Sequence, residues 1–172
     1  ATDWLARLRA GADRDEAAAR ALPRLEALAL IAGLDTARTA LLAGLAGRAA
    51  AQAAVEAGDD PTLIRDRAAM AVLLAGALGR DVPPAARQGL LDGPKLTPAT
   101  MPHPAVWDAF DRAEQAGRRA ETAALLLVLF GEAGPDTAHG ATLGRAVTAL
   151  KALDLAPLAR MTAVSAAVAH GL

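Results

Sequence analysis

The chain has 172 residues, of which 53% are hydrophobic, 22% charged and 2% aromatic, and its net charge is −1. Such a composition can bury a core and is not that of a disordered chain; the balanced charge lacks the basic excess usual in a nucleic-acid binder. Cysteine is absent, which removes disulfides, thiol catalysis and cysteine-ligated zinc.

Alanine and leucine dominate, β-branched residues are sparse, and no stretch alternates apolar and polar residues as a half-buried strand does. The chain therefore reads as all-α. In chain order, Thr2 or Asp3 caps a first short helix carrying Trp4, Leu5 and Leu8 and ending near Gly11. Asp13 or Asp15 opens a second helical stretch. Pro23 interrupts it, giving either a kink or a fresh helix over 23–31, with Gly33 as the terminator.

Asp35 and Thr36 are expected to cap the next helix, with Leu41, Leu42 and Leu45 on one face and a bent course toward Ala57. Gly58, Asp59, Asp60 and Pro61 are a stop followed by a start, so a helix over 61–78 is predicted with Asp60 as N-cap and Gly79 as its end. A short helix over 83–91 follows. Residues 92–104 contain Gly93, Pro94, Pro98, Pro102 and Pro104 and predict a central linker or long loop. A helix over 104–116 turns Val106, Trp107 and Phe110 inward. Residues 121–132 are apolar on all sides and predict the most buried helix of the chain. After a turn at Gly134, Pro135 and Asp136, helices over 142–153 and 156–169 form a last hairpin with its corner at Asp154 or Leu155.

Short connections imply antiparallel neighbours. The expected architecture is antiparallel helical hairpins stacked as a short right-handed α-solenoid, or packed as a compact helical bundle. The chain reads as a single all-helical domain 1–172, with sub-halves 1–91 and 104–172 joined by the linker 92–103. Its longest uninterrupted apolar run, 123–130, is far below the ~20 residues that span a bilayer. A soluble protein of cytoplasm or periplasm is expected. No leader is visible and the chain begins at Ala1 without methionine, the pattern of a processed protein or of a piece of a longer one.

One segment carries a family likeness. Trp107 falls at an early aromatic position, Phe110 at the next large apolar one, Ala123 at a small-residue position of the second helix, Leu127 at a following large position and Pro135 at a closing proline. In these residues 107–135 resembles a single tetratricopeptide unit. Asp111, Glu114 and Phe130 depart from the pattern, and no second copy is found. The resemblance implies a helical hairpin and a surface that binds another protein.

Candidate chemistry is thin. His103, His139 and His170 form no pair at metal-binding helical spacing, and each reads as a solvated or capping residue. His139 with Glu132 and Asp136 is the one grouping that could serve as an acid/base or small-ligand site. Asp13 with Asp15, and Asp59 with Asp60, stand at helix starts, where capping explains them. Ser165 lacks a nucleophile elbow. No catalytic residue, cofactor or metal ligand is assigned. The leading expectation is a non-catalytic interaction module that binds a peptide or helix of a partner protein, with Trp107, Arg112, Arg118 and Arg119 as candidate partner-binding residues. The alternatives are a helical enzyme or small-ligand domain around Glu132, Asp136 and His139, and a self-associating domain whose apolar face forms a homo-oligomer.

Overall fold

The computed structural model of the chain describes residues 3–35, 38–47, 50, 55–56, 58, 60–91, 101–132 and 134–172. Among them there are nine α-helices, one 3-10 turn and no strand. The helices are α1 (Asp3–Ala12), α2 (Glu16–Ala32), α3 (Leu41–Ala46), α4 (Pro61–Ala77), α5 (Pro84–Leu91), α6 (Pro104–Gln115), α7 (Arg119–Phe130), α8 (Gly140–Ala152) and α9 (Ala156–Ala169), with the 3-10 turn Pro135–Thr137 before α8.

The start and stop signals act as read, with three differences. Asp15 caps α2, accepting from the amides of Ala17 and Ala18, and Asp60 caps α4, accepting from Thr62 at 2.8 Å. Gly33, at φ 78°, ends α2: its own amide donates to Leu30 and that of Leu34 to Ala29, closing the last turn. The first difference is Pro23. Of the two expected courses the fresh helix does not form, because α2 runs through Pro23 as one helix. The carbonyl that loses its partner there, that of Ala19, belongs to an exposed residue and faces water. The second is Asp35, whose carboxylate is held by Arg9 and has no cap bond among the described residues, while Thr36 lies outside them; α3 begins only at Leu41. The remainder of the expected course toward Ala57 and the linker 92–100 lie largely outside the described residues. The third is α7, whose residues 125–130 were expected to be buried all round. Leu127 is 73% exposed and Val128 is exposed beside it. This helix packs on α6 and along part of α8, and its outer face, with Leu127 and Val128, is left exposed.

The centre is a closed ring of four helices, α2, α4, α8 and α9, in which each packs on the next and α9 returns to α2. Of the two expected architectures this is the compact bundle. Directions follow from side-chain register. Gly140 lies at Met70, Gly144 at Leu73, and Lys151 Nζ donates to the carbonyl of Ala77 at 3.3 Å, so α4 and α8 run parallel. At Gly144 a Cβ would come within 2.5 Å of Leu73 Cδ2, so an alanine there would require the Leu73 side chain to move. The C-terminal end of α2 meets Arg80, just beyond α4, which places those two ends together as well. Helix α9 runs the other way, returning from α8 through Asp154, a non-glycine residue at φ 63°.

Three parallel helices put three negative dipole ends on one side of the ring. Cations meet them there: Arg80 and Arg160 at Gly33, and Lys151 at the end of α4. Around the ring sit three satellites. Helix α1 packs on α2, α3 and α5 pack together against α4, and the α6–α7 hairpin leans on α8. Segments on both sides of the linker share one core, from Leu30, Ile31 and Leu74 to Phe110, Leu143 and Val147.

Polar groups tie the satellites down. Glu26, buried on α2, accepts from Arg9 Nε at 2.6 Å and Arg38 Nη1 at 2.7 Å, while Arg9 Nη2 donates to Asp35 at 2.8 Å. Bonds from Asp35 and Glu26 raise the pKa of Arg9 above its ordinary value. Arg145 on α8 pairs with Asp111 and with Glu114 on α6, and its guanidinium lies 5.7 Å from the centre of the Phe110 ring.

Candidate functional site

The residues singled out from sequence separate into two places. On the α6–α7 hairpin, Trp107 is half-buried and meets Phe110 edge-on, with ring centres 5.9 Å apart and planes at 89°. Arg112 pairs with Asp108, Arg118 with Glu121 at 3.1 Å, and Arg119 with Asp154 at 2.9 Å. The hairpin thus brings all four residues onto one satellite, but each arginine already has an acidic neighbour.

The second place is the N-terminal end of α8. His139 is the N-cap of that helix, and its Nδ1 accepts from the amide of Ala141 at 3.4 Å. His103 does the same for α6, where Nδ1 accepts from Ala105 at 3.2 Å. Both histidines line a single recess of about 290 Å³, together with Thr137 and Thr142. Its apolar wall is formed by Met101, Val106, Val128, Leu129 and Phe130. The expected grouping of His139 with Glu132 and Asp136 does not converge in it. Glu132 and Asp136 are exposed and neither lines the recess; Asp136 Oδ1 accepts from Ser165 Oγ at 2.8 Å.

The electrostatics of this corner come from the backbone. First-turn amides of a helix have no partner within the helix, and the dipole makes that end positive. Neither α6 nor α8 has an acidic residue in its first turn. Two positive helix ends therefore border one recess, and no carboxylate of the described residues lines it. A ring whose Nδ1 accepts an amide proton, when neutral, carries its own proton on Nε2 and can donate it. Thr142 is 1% exposed, and its Oγ1 is buried with no hydrogen-bond partner among the described residues.

A separate feature is the outer face of α9. Leu158 is 40% exposed, Met161 64% and Val168 56%, all at helical spacing on one side. Met161 borders a shallow groove of about 420 Å³ that Ala32, Pro157, Arg160, Val164 and Ser165 complete. Arg160 is the single charged residue of this helix.

Among the described residues no group of three or more His, Asp or Glu is placed to hold a metal ion, and no helix is long and apolar enough to cross a membrane. The chain matches no protein-family model, no curated protein and no solved structure.

Proposed function

We propose that the chain is a non-catalytic binding module whose α9 face receives one amphipathic helix of a partner protein. The observation that supports this reading is the row Leu158, Met161 and Val168, three large apolar side chains left in water beside an apolar groove. Exposed apolar side chains cost free energy that a partner would recover, and their spacing is the one a docked helix engages.

Size favours one helix over a second copy of the chain. At 14 residues α9 offers a face about 21 Å long and about 10 Å wide. That area, on the order of 200 Å², is well below the ~800 Å² per partner usual in a stable dimer. Charge narrows the occupant further. Arg160 lines the groove and has no acidic partner among the described residues, so an acidic flank on the incoming helix is favoured. The tetratricopeptide likeness of 107–135 points to protein binding too, but on the other hairpin.

Photo-crosslinking in the native cell tests this. A photoreactive amino acid in place of Met161 should form an adduct with one polypeptide, through a segment with helical apolar spacing and acidic flanks. The same group in place of Arg112 should not. Adducts only with a second copy of the chain, or none at Met161, would overturn the reading.

A further inference from the structure

Two guanidiniums converge where the α9 groove meets the end of α2. Arg80 Nη2 lies 2.9 Å, and Arg160 Nε 3.5 Å, from the point where a Cβ would stand on Gly33. Ala32, the residue before that glycine, lines the groove together with Arg160. Neither arginine of the pair has a hydrogen bond or an ion pair among the described residues, whereas Arg9, Arg112 and Arg119 each meet an acid. One unpaired arginine on a surface is ordinary. Two that meet at one point are not, because like charges repel.

The fold offers little to offset them. The C-terminal end of α2 carries about half a negative charge against two positive ones. Asp35, just beyond Gly33, is taken by Arg9 at 2.8 Å. Asp81, next to Arg80 in sequence, is exposed and forms no ion pair among the described residues. The pair is nonetheless held in place and open to a ligand. Arg80 Nε is buried without a partner; the two terminal nitrogens also lack partners but are not buried, so the end of the fork reaches water on a fixed stem. Gly33 keeps the space between the heads clear, since any side chain there would begin 2.9 Å from Arg80 Nη2.

We infer that Arg80 and Arg160 together hold one side-chain carboxylate of the incoming helix, an Asp or Glu, and that Arg80 thereby selects the partner. This rests on the reading that the α9 face receives a helix. A carboxylate has two oxygens and accepts from two guanidiniums at once, in charge-assisted bonds stronger than those between neutral groups. Arg160 stands next to Met161 on α9, so the carboxylate belongs about one or two turns from the apolar residue that packs on Met161. Apolar spacing alone is common to amphipathic helices. The acid at that place distinguishes one of them from the rest.

The test is the yield of the in-cell adduct from a photoreactive amino acid at Met161, with and without changes at Arg80. Arg80 does not line the groove, so its loss removes no apolar contact there. Arg80→Gln should lower the yield about fivefold or more, and Arg80→Lys, which keeps the charge without the fork, about two- to threefold. Tm of the free Arg80→Gln chain should stay within about 2 °C, because Arg80 has no partner to lose. Mass spectrometry of the adduct should find an Asp or Glu about one or two turns from the linked residue. Changing that acid to its amide leaves this chain untouched and should lower the yield about fivefold, but only about twofold or less when Arg80→Gln is already present. A normal yield with Arg80→Gln, a linked segment without such an acid, or equal loss from the amide change in both backgrounds would overturn the inference and leave the α9 reading standing. No adduct in the chain with Arg80 intact would overturn both.

Discussion

The α1–α2 corner and the α6–α8 corner handle polar groups in opposite ways. At the first, each buried charge meets its complement: Glu26 lies between Arg9 and Arg38, Asp35 takes the rest of Arg9, and Asp15 caps α2. At the second, helices start on histidines, Thr142 Oγ1 and Trp107 Nε1 are buried without partners, and a recess stands open between the helix ends. One corner uses its polar groups to hold two helices and a loop together. The other leaves Thr142 Oγ1 and Trp107 Nε1 buried with no hydrogen-bond partner among the described residues, a cost that the first corner avoids.

The sharpest way to break the comparison is to damage the paired corner. Glu26→Ala removes a buried carboxylate and leaves two guanidiniums facing each other. Breaking a buried pair from one side costs about 3–5 kcal/mol, but Arg9 keeps Asp35 and Arg38 is half in water, so a loss of about 2–3 kcal/mol is expected. For a chain of this length that lowers Tm by about 5–10 °C, readable by thermal denaturation. Alkaline pH should not imitate the variant. The pKa of Arg9 is raised in the folded chain, so its contribution is complete below the ordinary arginine value and fades only as pH rises through the higher folded one.

A smaller effect is expected at a cap that carries a carboxylate. Asp60→Ala leaves the amide of Thr62 without its acceptor and removes a negative charge from the start of α4, at a cost of about 1 kcal/mol by urea denaturation. The mirror experiment belongs at the other corner. His139→Asp supplies α8 with the carboxylate that α2 and α4 already have. It should stabilise the chain by about 0.5–1 kcal/mol in the same urea measurement, because a carboxylate caps better than the imidazole bond of 3.4 Å that it replaces.

These corners were not equally legible in the sequence. Helix boundaries announce themselves through local chemistry: Asp60 before Pro61, Gly33 after an apolar run, and Asp154 at a corner. Glu26 left a signal too, a lone carboxylate inside the apolar stretch from Leu25 to Leu30, which calls for a buried partner. Helix α7 misleads because an all-apolar helix has no polar side to show which face meets water; its position at the edge decides, and that is a tertiary fact. The recess is harder still. His103 and His139 each cap a helix by local rules, and only the packing of α6 and α7 on α8 brings the two ends to one space.

The smallest expected effect separates the two corners most cleanly. Thr142 and Glu26 are both buried polar residues on central helices, and by burial alone each would be expected to matter for folding. Glu26 has two partners; the hydroxyl of Thr142 has none. Replacing a paired buried group exposes its partners to an unmet cost, whereas replacing an unpaired one with an apolar group of the same shape relieves a cost already present. Thr142→Val keeps the branched side chain, so the packing around α8 is conserved. It should change stability by no more than about 0.5 kcal/mol, in the stabilising direction, in the same urea measurement that registers the loss at Glu26. A large loss at Thr142 would mean that its hydroxyl supports the fold, and the contrast between a corner whose buried polar groups are paired and one whose buried hydroxyl is not would fail.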